Sequence, residues 1–87
     1  MIFKIKWEEK ILSFLDKLDY LLSKRIVKKV DELENDPFSK NIKKLKNSDN
    51  FRLRVGDYRV ILDIDLGKKI ITILKIGHRK NIYLKNI

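Results

Sequence analysis

The sequence predicts an α+β domain, with two helices laid on one face of a mostly antiparallel sheet of about four strands in the order β-α-α-β-β-β. Three observations predict it. Apolar residues recur at helical spacing through residues 8–35 and then, from residue 51, alternate with period two. Gly56-Asp57 stands between two of the alternating stretches, as a two-residue turn joining antiparallel strands does. A strand, then helices, then a run of strands gathers the helices on one side of the sheet.

The elements follow in order. Residues 2–6 alternate, with Phe3, Ile5 and Trp7 to one side and Lys4 and Lys6 to the other, the pattern of a half-buried strand. Residues 8–18 put Ile11, Leu12, Phe14, Leu15 and Leu18 on one helical face, with Glu8 and Glu9 in the first turn, where the helix dipole favours carboxylates. A second helix over residues 20–35 presents Leu22, Ile26, Val27, Val30 and Leu33, and the short break at Asp19 makes an antiparallel pair. Asp36-Pro37 ends it, because the residue before a proline avoids helical dihedrals. Residues 38–50 form a polar, lysine-rich connection with room for a short strand over residues 43–46. Phe38, like Trp7, is expected in the core. Phe51, Leu53 and Val55 then alternate with Arg52 and Arg54, and Tyr58, Val60, Leu62 and Ile64 form the apolar side of the next strand. A turn at Leu66-Gly67-Lys68 leads into residues 69–76, nearly all apolar, as suits a central strand. Gly77 ends that strand, and residues 78–87 are a short polar tail.

With 87 residues the chain is read as a single domain, residues 1–87, with one core and one shallow site. It has no cysteine, which removes disulfides and thiolate ligands, and one histidine alone cannot build a zinc site, so neither metal nor cofactor is expected. Met1-Ile2-Phe3-Lys4 opens no apolar stretch long enough for a signal peptide, so none is expected, and Arg59 and Lys75 interrupt the longest apolar runs. The expectation is a cytoplasmic protein with no membrane partner.

The net charge is +9, and all of the excess is in one half: residues 1–36 hold eight basic and eight acidic residues, residues 37–87 thirteen and four. An asymmetry of this kind suggests a polyanion partner for one face. Solubility explains the sixteen lysines well and the five arginines less well. Four of those arginines, Arg52, Arg54, Arg59 and Arg79, lie in the basic half. Arginine kept at a few positions of a lysine-rich chain suggests planar, bidentate work on phosphate or carboxylate. The fifth, Arg25, shares a helix face with Lys24, Lys28 and Lys29 that reads as solvated.

The two-residue turn sets a register in which Val55 lies opposite Tyr58 and Arg54 opposite Arg59. Arg52, Arg54 and Arg59 then share the face turned away from the helices. Like charges directly opposite repel by a few tenths of a kcal/mol. An anion between them would reverse the sign; splaying into water is the bland alternative. By the same parity Lys75 faces out, Ile70, Leu74 and Ile76 face the helices, and Ile61, Ile71 and Ile73 join the open face, with Arg79 just beyond. His78 is a candidate general acid or base, or a surface histidine at a strand end. Tyr83 is a candidate proton donor or base-stacking ring, or an anchor for the tail.

Two stretches carry a resemblance. Phe51-Arg52-Leu53-Arg54-Val55-Gly56-Asp57-Tyr58-Arg59-Val60-Ile61 resembles the central hairpin of the RelE/ParE toxin superfamily, and Ile76-Gly77-His78-Arg79-Lys80-Asn81-Ile82-Tyr83 resembles its C-terminal signature. The order of elements agrees over essentially the whole chain. The resemblance implies the toxin of a type II toxin–antitoxin system: a ribosome-dependent, metal-independent endoribonuclease (an mRNA interferase) that cuts mRNA in the decoding site. The ribose 2′-hydroxyl attacks the adjacent phosphate, leaving a 2′,3′-cyclic phosphate and a 5′-hydroxyl. It implies catalytic roles for Arg59, Arg79, Tyr83 and His78 and RNA-phosphate binding by Arg52, Arg54, Lys43, Lys44 and Lys46. Some members have lysine where Arg52 and Arg54 stand; arginine keeps its proton in a protein, so these two can bind and stabilise but not act as bases. Some relatives use a glutamate base, and this chain has no glutamate after Glu34. His78 or Tyr83 is left, or positioning by the ribosome alone. The implied partners are an acidic RelB-like antitoxin, the ribosome and mRNA. The alternatives are a ParE-like inhibitor of DNA gyrase without nuclease activity, and a basic RNA-binding module without chemistry.

Overall fold

In a computed structural model, which describes residues 2–82, the chain forms the expected α+β domain with one strand more than expected. Strand β1 is Lys4–Trp7, and helices α1 (Glu9–Asp16) and α2 (Tyr20–Asp31) follow. A 3-10 turn at Glu32–Glu34 prolongs α2. Strands β2 (Ile42–Lys44), β3 (Phe51–Val55), β4 (Tyr58–Asp65) and β5 (Ile70–His78) come next, then a single helical turn, α3 (Arg79–Ile82). The order across the sheet is β1-β5-β4-β3-β2. All neighbours are antiparallel except β1 and β5, which run parallel, so the sheet is mixed. The residues expected to be a polar tail begin instead with the end of β5 and α3.

Asp19 starts α2 as the sequence suggests. Its carboxylate accepts the backbone N–H groups of Leu21 and Leu22 at 3.2 and 3.3 Å, supplying two of the partners that a helix N-terminus lacks. Each helix buries one stripe: Ile11 and Leu15 from α1, Ile26 and Val30 from α2, with Leu33 beyond. They meet Leu53, Val55, Val60, Leu62, Ile71, Ile73 and Ile76 of the sheet in one core. Leu12, placed on the core face by the sequence pattern, is instead exposed. Phe38 is also a correction: it is 51% exposed and packs edge-on against Phe51 at 5.7 Å, because the chain beyond Pro37 runs outside the core. Trp7 is half-buried against the core.

The parity expected along β5 fails at one residue. Ile61 of β4 faces Lys75, but Leu62 faces Ile73, so Leu74 is an extra residue, a β-bulge. An extra residue moves every side chain on one side of it to the opposite face. Beyond the bulge Lys75 faces out and Ile76 faces the helices, as expected. Before it, Ile71 and Ile73 turn into the core, both fully buried, and Ile70 joins the open face. Ile61 does lie on the open side yet is buried, outside the helix-side core. Ile82 of α3 closes over this side: a Cβ at Gly77, which pairs with Arg59, would stand 3.3 Å from the Cβ of Ile82. Hence neither Ile61 nor Ile71 nor Ile73 contributes to an exposed apolar patch.

Ile71→Ala is therefore expected to cost about 2–5 kcal/mol of stability as a core truncation, and Ile70→Ala clearly less. Urea unfolding of the two variants checks this; equal small losses would contradict the bulge.

Candidate functional site: an arginine-lined hollow at the β3–β4 hairpin

Gly56 and Asp57 join β3 to β4, and Gly56 takes a φ of +58°, a left-handed conformation that costs glycine least. Only the first turn residue has positive φ, as in the glycine-led hairpin turns. The register is the expected one: Val55 opposite Tyr58 and Arg54 opposite Arg59. Arg52 lies opposite Ile61 on one side and Lys43 of β2 on the other, so Lys43, Arg52, Arg54 and Arg59 share the open face. With Lys40 and Asn41 they line a hollow of about 200 Å³. Among the described residues no carboxylate lines it.

Arg59 is held in place. Its Nη1 donates to the carbonyl oxygens of Gly56 and Tyr58, both at 2.9 Å. One end of the guanidinium is thus committed to the turn, and the edge formed by Nε and Nη2 remains for an anion. Holding the fork in this way lowers the entropy lost when a phosphate binds. Arg79, at the start of α3, approaches the same turn: its Nε lies 3.8 Å from Asp57 Oδ1, and its backbone N–H donates to the Asp57 carbonyl at 2.8 Å. The ion pair is exposed and contributes little energy. The backbone bond ties α3 to the hairpin.

The other candidates separate from this group. Lys44 lies opposite Phe51, on the helix side of the sheet, and Lys46 lies beyond β2; neither lines the hollow. His78 lies opposite Tyr58 and packs edge-on against its ring at 5.5 Å. Its Nδ1 accepts the Lys80 backbone N–H at 3.1 Å, so in the neutral ring the proton is on Nε2. It lines a second hollow, about 320 Å³, together with Phe14, Tyr58, Lys75, Gly77 and Ile82, and does not line the hollow of Arg52, Arg54 and Arg59. Tyr83 lies outside the described residues. Sequence reasoning passed over Arg25, whose guanidinium reaches from α2 to Gly56. The signal was there, since Arg25 is arginine among lysines. Among the described residues no cluster of acidic, histidine or cysteine side chains suits a metal ion, and no helix is long and apolar enough to cross a membrane.

Comparison with known proteins turns this geometry into a family. The family model described as the ParE toxin of type II toxin-antitoxin systems matches residues 5–83. The chain belongs to that family, within the RelE/ParE toxin superfamily. Among solved structures, the toxin resembles a chain of the archaeal RelE-RelB complex from Pyrococcus horikoshii OT3 at 30% identity and a TM-score of 0.82, covering 93% of this chain and 99% of that one. A chain of the toxin-antitoxin complex RelBE2 from Mycobacterium tuberculosis matches at 23% identity and a TM-score of 0.80, over 91% of this chain and 100% of that one. The YoeB/ParE toxin from Agrobacterium tumefaciens matches at 13% and 0.72, over 86% and 96%. The last two likenesses show the fold alone. No curated protein sequence matches the chain.

The hydrogen bonds of Arg59 bear on the stability of the toxin. Arg54→Ala removes only repulsion and is expected to leave stability within about 0.5 kcal/mol of the parent. Arg59→Ala removes two bonds to the turn and is expected to cost about 1 kcal/mol. Phosphate should raise the parent's Tm above that in chloride of equal ionic strength, through binding to the folded state. Both variants should lose most of that rise. Thermal unfolding in the two salts reads all three effects, and an equal phosphate response in all proteins would contradict an anion site.

Proposed function

We propose that this toxin is an endoribonuclease that cuts mRNA in the decoding site of the ribosome. The observation that carries the reading is the arginine-lined hollow, in which the repelling Arg54–Arg59 pair stands beside a pre-set guanidinium edge. Arg52, Arg54 and Lys43 hold the RNA backbone. Arg59 and Arg79 stabilise the charge that gathers on the phosphate oxygens as the 2′-hydroxyl attacks phosphorus and the bond to the 5′-oxygen breaks. The products are a 2′,3′-cyclic phosphate and a 5′-hydroxyl, with the 2′-hydroxyl proton leaving and the 5′-oxygen gaining one. No cofactor enters this scheme. His78 packs against Tyr58 and does not line the arginine hollow; it and Tyr83 are the two candidates for proton transfer, with positioning by the ribosome alone as the third possibility.

The partner that blocks this site is proposed to be an acidic RelB-like antitoxin. The net charge of +9 and a hollow lined by Lys40, Lys43, Arg52, Arg54 and Arg59 support it, and the related Pyrococcus horikoshii chain was solved in a RelE-RelB complex. Ile61, Ile71 and Ile73 are buried, so they offer that contact no apolar surface. A second reading, inhibition of DNA gyrase without nuclease activity, is favoured by the ParE family match.

In a translating extract, Arg59→Ala and Arg79→Ala are expected to slow mRNA cleavage by about 10²-fold or more while remaining folded. Tyr83→Phe, which removes only the hydroxyl, should slow it too if that group moves a proton. Lys43→Ala should instead weaken binding in a salt-dependent way and leave single-turnover cleavage nearly unchanged. Intact mRNA with parent toxin, combined with loss of gyrase supercoiling, would replace the nuclease reading by the second one.

A further inference from the structure

Arg25 departs from the other cations of α2. Lys24 lies 6.0 Å from the centre of the Tyr20 ring, and Lys29 is 3.8 Å from Glu32. Arg25 instead crosses to the hairpin. A Cβ at Gly56 would stand 3.0 Å from its Nη1, 3.4 Å from Cζ and 3.5 Å from Nη2. Its guanidinium therefore lies flat against the turn, in space left open by the missing side chain of Gly56. Among the described residues no carboxylate forms an ion pair with it, and the residue is exposed. Arg59 grips the carbonyl of that same Gly56, and Arg79 approaches Asp57 next to it. Arginines from three separate elements thus meet at one two-residue turn, with Asp57 the single carboxylate it carries. All five arginines of a chain with sixteen lysines stand at this turn or in the hollow beside it.

A cation that adds to such a cluster raises its self-repulsion, and a polyanion removes that cost. A single phosphate in the hollow does not need Arg25, because Arg52, Arg54 and Arg59 already surround it. A longer strand does: its backbone carries further charges beyond the hollow, and the turn is the rim they would cross. We propose that Arg25 is an additional phosphate-binding residue, so that a bound single-stranded RNA leaves the hollow, crosses the Gly56-Asp57 turn and sets its next phosphate against the Arg25 guanidinium. The inference rests on the reading of RNA as the ligand of the arginine hollow, and adds a direction and a length to that site.

The test compares two probes on the full chain, both 2′-O-methylated to prevent cleavage: a dinucleotide with one phosphate, followed by NMR, and a hexanucleotide, followed by fluorescence anisotropy over a range of salt. Arg25→Ala is expected to reduce the slope of log affinity against log salt for the hexanucleotide by about 0.7, one phosphate contact on a single strand, and to leave dinucleotide binding unchanged. Arg25→Lys should recover the slope, and Lys24→Ala should behave as the parent. With a parent that binds, two results overturn the proposal: a hexanucleotide slope for Arg25→Ala equal to the parent's, or equal losses on both probes with a lowered Tm, which would make Arg25 a prop for the turn. A parent that does not bind the hexanucleotide would sink this proposal, while intact mRNA in a translating extract is the result that would sink the RNA reading itself. A parent that binds beside an Arg25→Ala of equal slope would sink the Arg25 assignment alone.

Discussion

The site depends on one unfavourable contact. A two-residue turn led by Gly56 makes Arg54 and Arg59 direct neighbours across β3 and β4. Two guanidinium groups at that spacing repel, and among the described residues no carboxylate lines the hollow to offset them. The fold tolerates this because the opposite faces of the same strands bury Leu53, Val55, Val60 and Leu62 among the helix residues. Burial on the order of 2 kcal/mol per large side chain outweighs a repulsion of a few tenths. The strain is thus local, and it is placed where an anion can relieve it.

The turn organises more than that pair. Its carbonyl at Gly56 anchors Arg59, its carbonyl at Asp57 anchors the start of α3, and its bare α-carbon admits Arg25. A side chain at Gly56 would meet both a strained φ and the Arg25 guanidinium. Three elements distant in sequence therefore take their positions relative to two residues. This is why the charges of α2, β4 and α3 act as one surface although Arg25 and Arg79 are far apart along the chain.

The bulge at Leu74 separates the two functions of β5. Before it, Ile71 and Ile73 belong to the core; after it, Lys75 and Gly77 lie on the open face and Ile76 returns to the core. Without the extra residue, one alternation would run the full strand, and either the core would lose its two isoleucines or the site would lose Gly77. Gly77 in turn lets Ile82 close down on the sheet, which brings α3 and Arg79 to the hairpin.

The amino-acid sequence by itself determined the α+β class, the helix stripes, the hairpin register and the common face of Arg52, Arg54 and Arg59. These follow from local spacing: a period of 3.6 or 2 and a turn of known length need no knowledge of distant contacts. It also carried the family, through the hairpin and the Gly77-His78-Arg79 stretch. Only the tertiary structure decided the parallel pairing of β1 with β5, since strand neighbours far apart in sequence leave no periodic trace. It decided that Ile71 and Ile73 are core, because one bulged residue inverts a parity argument without altering composition. It placed His78 against Tyr58 and outside the arginine-lined hollow, and Lys44 on the far side from Lys43. And it moved Arg25 from a solvated helix face to the turn, because a long side chain reaches whatever element packing brings beside it, and that distance is set by the whole fold.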